Sequence, residues 1–546
     1  MVSFPVTYPF YRWVPKWLGI LILLMFFLPI LTVGGTYSAT SLEMMSGLGL
    51  TSDHIQFVNF ATSIGMAAFC PFLYRLVLVR REKMMCIGGF SVMFILSYIC
   101  AVTESIYLLA LCNIIMGFLR MVLMMVNLFT LIRYAGKIEA SDKITPGTEP
   151  ATDAGWDALD VERSLAQPAI YLFFMILGQC GTWLTAWLAY EYEWQYVYYF
   201  MMGLLLICIL LCFVTMPYFK YPTRYAPLNL RHFGNVTLFC LSLICLVYVL
   251  TYGKVLDWYD DPTICRATVS SILFAIAFVY MERQQKRPYY LLDVLKLRTI
   301  RMGVILYFLL MVLNSSSVFV NVFTGLGMKI DNWQNATLGN WSMLGYTIGG
   351  FIVMWLSSKK VHFKWLFATG FLFIGLAALF MYFEVQTAGL YERMKYPVIL
   401  RCIGMMCLYS LIPTYATQRM PHRFLSSWVC TMLTVRMVIA PCVGTALYSN
   451  VLQERQQHYV TRYAQNVDTM NPDANAAFNR TLQGMQYQGR SRQEAEQMAS
   501  ISTKGRIQVQ ATLSSVKEMA GWTFYACMAC LAFTLLVRYP KRKFVP

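Results

Sequence analysis

Three arginines stand inside otherwise apolar runs: Arg120 in NIIMGFLRMVLMM, Arg401 in ILRCIGMM and Arg436 in TVRMVIAPCVG. A guanidinium keeps its proton and is costly in hydrocarbon, so each needs a partner or a wet cavity. Two uses fit. Each arginine can clamp backbone carbonyls at a helix end, or it can recognise a substrate or serve coupling. Tyr37, Asn59, Asn113, Gln179, Asn314 and Asn321 are uncharged polar groups in the same kind of run. Such groups bond across helices as glue, worth roughly 0.6 kcal/mol each, or they line a passage. The carboxylates fall elsewhere. Glu43, Glu104, Glu191, Asp257, Glu282 and Glu384 all lie at the ends of apolar runs. Exchange of a cation for a proton ordinarily needs a buried carboxylate that loads and releases the proton. The arginines without such a carboxylate favour an anionic or neutral small molecule. No phosphate-binding loop, dinucleotide fingerprint, HExxH or GxSxG occurs, so nothing supports an enzyme, a cofactor or a metal.

These residues are carried on about fourteen apolar stretches that fill the chain from Trp17 to Val537. A hydrocarbon core of about 30 Å needs roughly 20 helical residues to cross it. Backbone amides find no partners in lipid, so each stretch has to cross as a self-bonded helix. The expected spans are 17–39, 55–74, 84–103, 106–132, 167–190, 196–216, 233–252, 264–281, 303–325, 339–357, 365–383, 396–418, 425–450 and 519–538. Hydrophobic residues make up 58% of the 546 and charged ones only 13%, against about 25% charged in a soluble domain. The reading is an all-α polytopic protein of the lipid bilayer. Its first apolar run is longer than a signal core, so it is expected to stay as a span.

The net charge of +17 does not point to nucleic acid, because the basic residues sit in short turns. With fourteen spans, the turns holding Arg80 and Arg81, Lys220 and Arg224, Lys286 and Arg287, and Lys359 and Lys360 fall on one side. Positive turns stay in the cytoplasm, which places both termini there. The sixteen cysteines lie mostly in apolar runs, where thiols act as small fillers; even the CxxC of Cys527 and Cys530 is inside the last span. Two polar segments interrupt the rhythm. Residues 134–165 read as a cytoplasmic insert with a short helix from Trp156, and 452–518 as a large outer loop of two helices. In the second of these helices, Ser491 and Glu494 have capping-box spacing.

Several stretches carry a family resemblance. YVLTYGKVLDWYDDPTI with FVYMERQQKRPYYLLDVLKLRTIR, and ILRCIGMM with FLSSWVCTMLTVRMVIAPCVGTALYSNVLQERQQHY, resemble the fourteen-span drug/proton antiporters of the major facilitator superfamily, the EmrB/QacA type. Arg401 and Arg436 fall on that family's arginines, and ILGQCGTWLTAWLAYEYEW keeps the glycine pattern of its fifth span. The N-terminal half is degenerate. FLYRLVLVRREKMMCIGG lacks the aspartate of the family's basic loop, Asn113 replaces the span-four arginine, and Gly34 stands where span one is usually acidic.

The resemblance implies two six-helix bundles and two extra spans. The bundles are 1–216, with the insert, and 303–546, with the loop; residues 217–302 hold the extra spans and a linker. It further implies efflux of amphipathic or apolar small molecules across the inner membrane by alternating access, with proton coupling as one option. A periplasmic adaptor and an outer-membrane channel are the partners that go with such a loop. An importer or symporter on the same fold, or a non-transporting scaffold or receptor using 452–518, are the other readings.

Overall fold

Long apolar runs with helix-favouring Leu, Met and Ala build helix after helix in this computed structural model, and no strand occurs among the described residues. It describes residues 9–68, 81–135, 153–218, 230–285, 288–359, 361–387, 389–418, 420–465, 467 and 471–539. In chain order the helices used below are α1 Lys16–Thr32, α2 Ser41–Leu48, α3 Ser52–Ala68, α4 Glu82–Val102 and α5 Ile106–Ala135. They continue with α6 Asp153–Glu191, α7 Trp194–Thr215, α8 Leu230–Tyr252 and α9 Pro262–Gln284. Then come α10 Arg298–Gly327, α11 Asn332–Gly339, α12 Trp341–Ser358, α13 Phe363–Glu384, α14 Lys395–Ala416 and α15 Arg423–Ala464. The last two are α16 Pro472–Tyr487 and α17 Arg492–Leu536.

Each expected span overlaps one of these helices, but the first, 17–39, is α-helical only to Thr32, and 69–74 of the second lie outside the described residues. Among the described residues, eleven helices are long and apolar enough to cross a bilayer, and α1 is apolar but shorter. The basic residues Arg75, Arg80, Lys220, Arg224, Lys286, Arg287 and Lys360, Cys70, and 136–152 of the insert lie outside the described residues. The short helix expected from Trp156 begins instead at Asp153, within the insert, and runs without a break into the fifth expected span.

Helix pairs approach closely where glycine removes the Cβ. An added Cβ at Gly65 would meet the Ile114 carbonyl oxygen at 2.1 Å, and one at Gly117 would meet that of Thr62 at 2.0 Å. These reciprocal contacts seat α3 against α5, as small residues do for helices in lipid. Two helices also widen into a π-turn, Phe323–Gly327 in α10 and Thr434–Ile439 in α15. Such turns interrupt the regular ladder and concentrate at functional positions.

The N- and C-terminal parts of the chain meet at both ends of the bundle. At the end carrying the described termini, Thr414 Oγ1 donates to Gln167 Oε1 at 2.6 Å, and the Cys430 thiol donates to the Ala67 carbonyl at 3.5 Å. At the other end, Asn332 Nδ2 donates to the Ala39 carbonyl at 2.6 Å and to Glu43 Oε1 at 3.0 Å. There Trp333 also lies 5.6 Å from Trp183 and 6.2 Å from Tyr190, ring centre to ring centre.

The described residues of the 452–518 loop are mostly helical. α15 continues past its apolar part to Ala464, α16 follows, and α17 is one continuous helix of 45 residues. At 1.5 Å per residue it is about 68 Å long, twice the hydrocarbon thickness. Its start is the capping box read from sequence: Ser491 Oγ accepts the Glu494 N–H at 3.4 Å, and Glu494 Oε2 accepts the Ser491 N–H at 3.2 Å. α15 and α17 are joined by a Tyr463–Ser514 hydrogen bond of 2.7 Å and by Arg455–Glu518 at 3.9 Å.

Candidate functional site

A cavity of about 220 Å³ opens between α1, α3, α5 and α6, with Met437 of the α15 π-turn as its wall from the C-terminal part of the chain. Arg120, Tyr37 and Asn59 line it, with Thr36, Thr62, Ser63, Thr182 and Thr185. Leu31, Met66, Met437 and the bare face of Gly178 form its apolar side. The α1–α6 wall is tight, since a Cβ on Gly181 would stand 2.0 Å from Thr32 Cγ2. Gly178, three residues earlier, has no atom within 4 Å of where its Cβ would be.

Arg120 makes the backbone clamp read from its sequence and also lines the cavity. One guanidinium nitrogen donates to the Leu31 carbonyl, among the last carbonyls of α1, which lack intrahelical partners. Its Nε is buried with no hydrogen-bond partner. Tyr37 is 5% exposed and its hydroxyl is equally unpartnered, with the ring set edge-on to Tyr198 at 5.2 Å. Tyr198 fixes this corner by donating to the Gly35 carbonyl at 2.5 Å. Asn59 Oδ1 accepts from Thr36 Oγ1 at 2.5 Å. The ion pairs among the described residues are Lys296–Asp293, Arg393–Glu384, Arg455–Glu518 and Arg492–Glu496. None involves Arg120, Arg401 or Arg436.

The remaining candidates divide by place. Asn113 is fully buried behind the cavity, where its Oδ1 accepts the Gly35 N–H at 2.8 Å and Thr62 Oγ1 at 2.9 Å. It holds the segment after α1 onto α3 and α5. Gln179 points away toward α11, its Nε2 lying 3.0 Å from where a Gly339 Cβ would be. Arg401 donates to the Asn314 side chain at 3.2 Å and to its carbonyl at 3.3 Å, tying α14 to α10. Asn321 accepts from Asn335 at 3.2 Å, near the α10 π-turn.

Arg436 stands in the π-turn next to Met437, 8% exposed, inside a cage of tyrosines. Its guanidinium carbon is 4.3 Å from the Tyr409 ring centre, 5.7 Å from Tyr171 and 5.9 Å from Tyr307, and it donates to the Tyr171 hydroxyl at 3.4 Å. Aromatic faces stabilise a desolvated cation by about 2 kcal/mol or more. Because Tyr171 belongs to α6 and the other two rings to α10 and α14, the cage bridges distant parts of the chain. Sequence reasoning missed these rings, since their convergence on Arg436 has no local spacing signal.

Residues 22–445 match the Major Facilitator Superfamily. The chain belongs to that superfamily. It is a multi-pass membrane transporter, and the family resemblance read from its motifs holds. Among its relatives, the "Probable multidrug resistance protein EmrY" of Escherichia coli (strain K12) is 20% identical over 395 residues, 70% of this chain and 72% of its own. The crystal structure of an auto-inhibited POT family peptide transporter shares the fold with a TM-score of 0.54, at 14% identity over 97% of this chain and 99% of that one. Tetrameric PepTSo2 does so with a TM-score of 0.50, at 13% identity over 95% and 97%.

Proposed function

We propose that this superfamily member exports small amphipathic molecules bearing one negative charge, by alternating access around the Arg120 cavity. The observation that carries this is Arg120 with an unpartnered Nε beside the unpartnered Tyr37 hydroxyl, and no carboxylate on the cavity wall. A cation bound here would meet a buried positive charge with nothing to offset it, at a cost of several kcal/mol. A carboxylate would accept from Arg120 and Tyr37 together. Gly34, on the position where the resembling family is acidic, leaves that wall neutral.

Size follows from volume. A cavity of about 150 Å³ holds benzene, so 220 Å³ suits about nine non-hydrogen atoms, the size of benzoate. Its apolar body would lie on Leu31, Met66 and Met437. Export, inner-membrane placement and cytoplasmic termini are supported by the similarity to EmrY and by the basic turns on one side. The α15–α17 hairpin would then project into the periplasm, as a surface for an adaptor leading to an outer-membrane channel. Everted vesicles carrying the protein test the direction: they should accumulate radiolabelled benzoate. Efflux from them, or accumulation of lipophilic cations instead, overturns the proposal.

A further inference from the structure

Between α9 and α10, the residues from Pro288 to Leu291 form a short strap with bonds in two directions at the end of the bundle that carries the termini. Tyr289 donates its hydroxyl hydrogen to the carbonyl of Ala68, the last residue of α3. The next two residues hold α15. Tyr290 shares a hydrogen bond of 2.6 Å with Thr431 Oγ1, and the Leu291 N–H donates to Ser427 Oγ at 2.9 Å. The strap itself is fixed by Glu282 near the end of α9. That carboxylate is 2% exposed; its Oε1 accepts from Asn235 Nδ2 of α8 at 2.6 Å, and its Oε2 accepts the Tyr290 N–H at 3.2 Å. Sequence alone puts Glu282 at a span end and gives it no role.

In alternating access, α3 and α15 have to separate at this end for the cavity to open there. The strap bonds α3 once and α15 twice, so opening at this end has to break its bonds on one side or the other. We infer that Glu282 is a positioning residue that holds Tyr289 and Tyr290 as the clasp keeping this end shut. The two extra helices α8 and α9 thereby serve to present the strap. The inference needs alternating access but no particular substrate, so it stands or falls apart from the proposal of an anionic cargo.

The test is hydrogen–deuterium exchange on the full chain in lipid nanodiscs without substrate. Tyr289→Phe removes one buried hydrogen bond and keeps the ring, which shifts the open-to-closed ratio at this end about fivefold. Exchange should rise about fivefold in peptides covering 64–68 and 427–431, while peptides covering 36–46 and 332–339 at the opposite end exchange as before or more slowly. Glu282→Gln, which keeps the shape but leaves one acceptor oxygen for the two donors Asn235 Nδ2 and Tyr290 N–H, should move the same peptides in the same direction. Unchanged exchange at 64–68 and 427–431 overturns the inference. So does an equal rise at both ends, the mark of general loosening.

Discussion

Replacing Arg120 by glutamine removes the charge from the cavity while leaving an amide that can still donate to the Leu31 carbonyl. The clamp between α5 and α1 is also held by Asn127, whose Nδ2 donates to the Leu23 carbonyl at 2.9 Å, so the fold should persist. On the proposed reading, what is lost is the charge-assisted bond from the Arg120 guanidinium to a bound carboxylate. Bonds to charged groups contribute about 1.5–3 kcal/mol, which corresponds to about 10- to 150-fold in Kd. The assay is calorimetric titration of benzoate and benzamide into the purified protein in nanodiscs. Benzoate affinity should fall by that factor in Arg120→Gln, benzamide affinity should barely change, and Arg120→Lys should fall between. An equal loss for both ligands would refute the reasoning, because it would mean that Arg120 shapes the cavity and does not read charge.

Two glycines on the same wall should behave oppositely. Gly178→Leu projects into open space, so thermal stability should hold while benzoate binding is lost; Gly181→Ala drives a methyl against Thr32 and should cost about 1–3 kcal/mol of stability. Around Arg436, Tyr409→Phe keeps the ring and should leave the unfolding midpoint near that of the parent. Tyr409→Leu removes the nearest aromatic face and should destabilise by about 2 kcal/mol, read by thermal unfolding in detergent. Asp261 caps α9, accepting from the Thr263 hydroxyl at 2.5 Å and its N–H at 2.6 Å, and these bonds lower its pKa below the ordinary carboxylate value. A depressed carboxylate pKa stabilises the cap above the ordinary value, and that stability is lost as pH falls through the folded one. Exchange at 263–265 should therefore accelerate on acidification in the parent and be pH-independent in Asp261→Asn, once intrinsic rates are divided out.

The helices were legible because burial in lipid imposes length and apolarity on local sequence, and Ser491 with Glu494 marked the start of α17 to the residue. Continuity was not legible. The Arg492–Leu536 helix joins a polar outer stretch to the last apolar span, and hydropathy sees a boundary where the backbone has none. Of the candidate residues, Arg120, Tyr37 and Asn59 do meet in one cavity, whereas Asn113, Gln179, Asn314, Asn321 and Arg401 bond or pack between helices. An intramembrane polar residue announces a cost to be met, and sequence cannot say whether backbone, side chain or ligand meets it. The tyrosine cage and the Glu282 strap were hidden for a related reason. Their members come from three or more separate helices, and only tertiary packing brings them together.

Charge movement by the reconstituted protein tests the central claim most directly. On a solid-supported membrane, jumps in benzoate or another single-ring carboxylate should evoke transport currents that Arg120→Gln abolishes, while lipophilic cations evoke none. Currents from the cations alone, untouched by Arg120→Gln, would contradict the account.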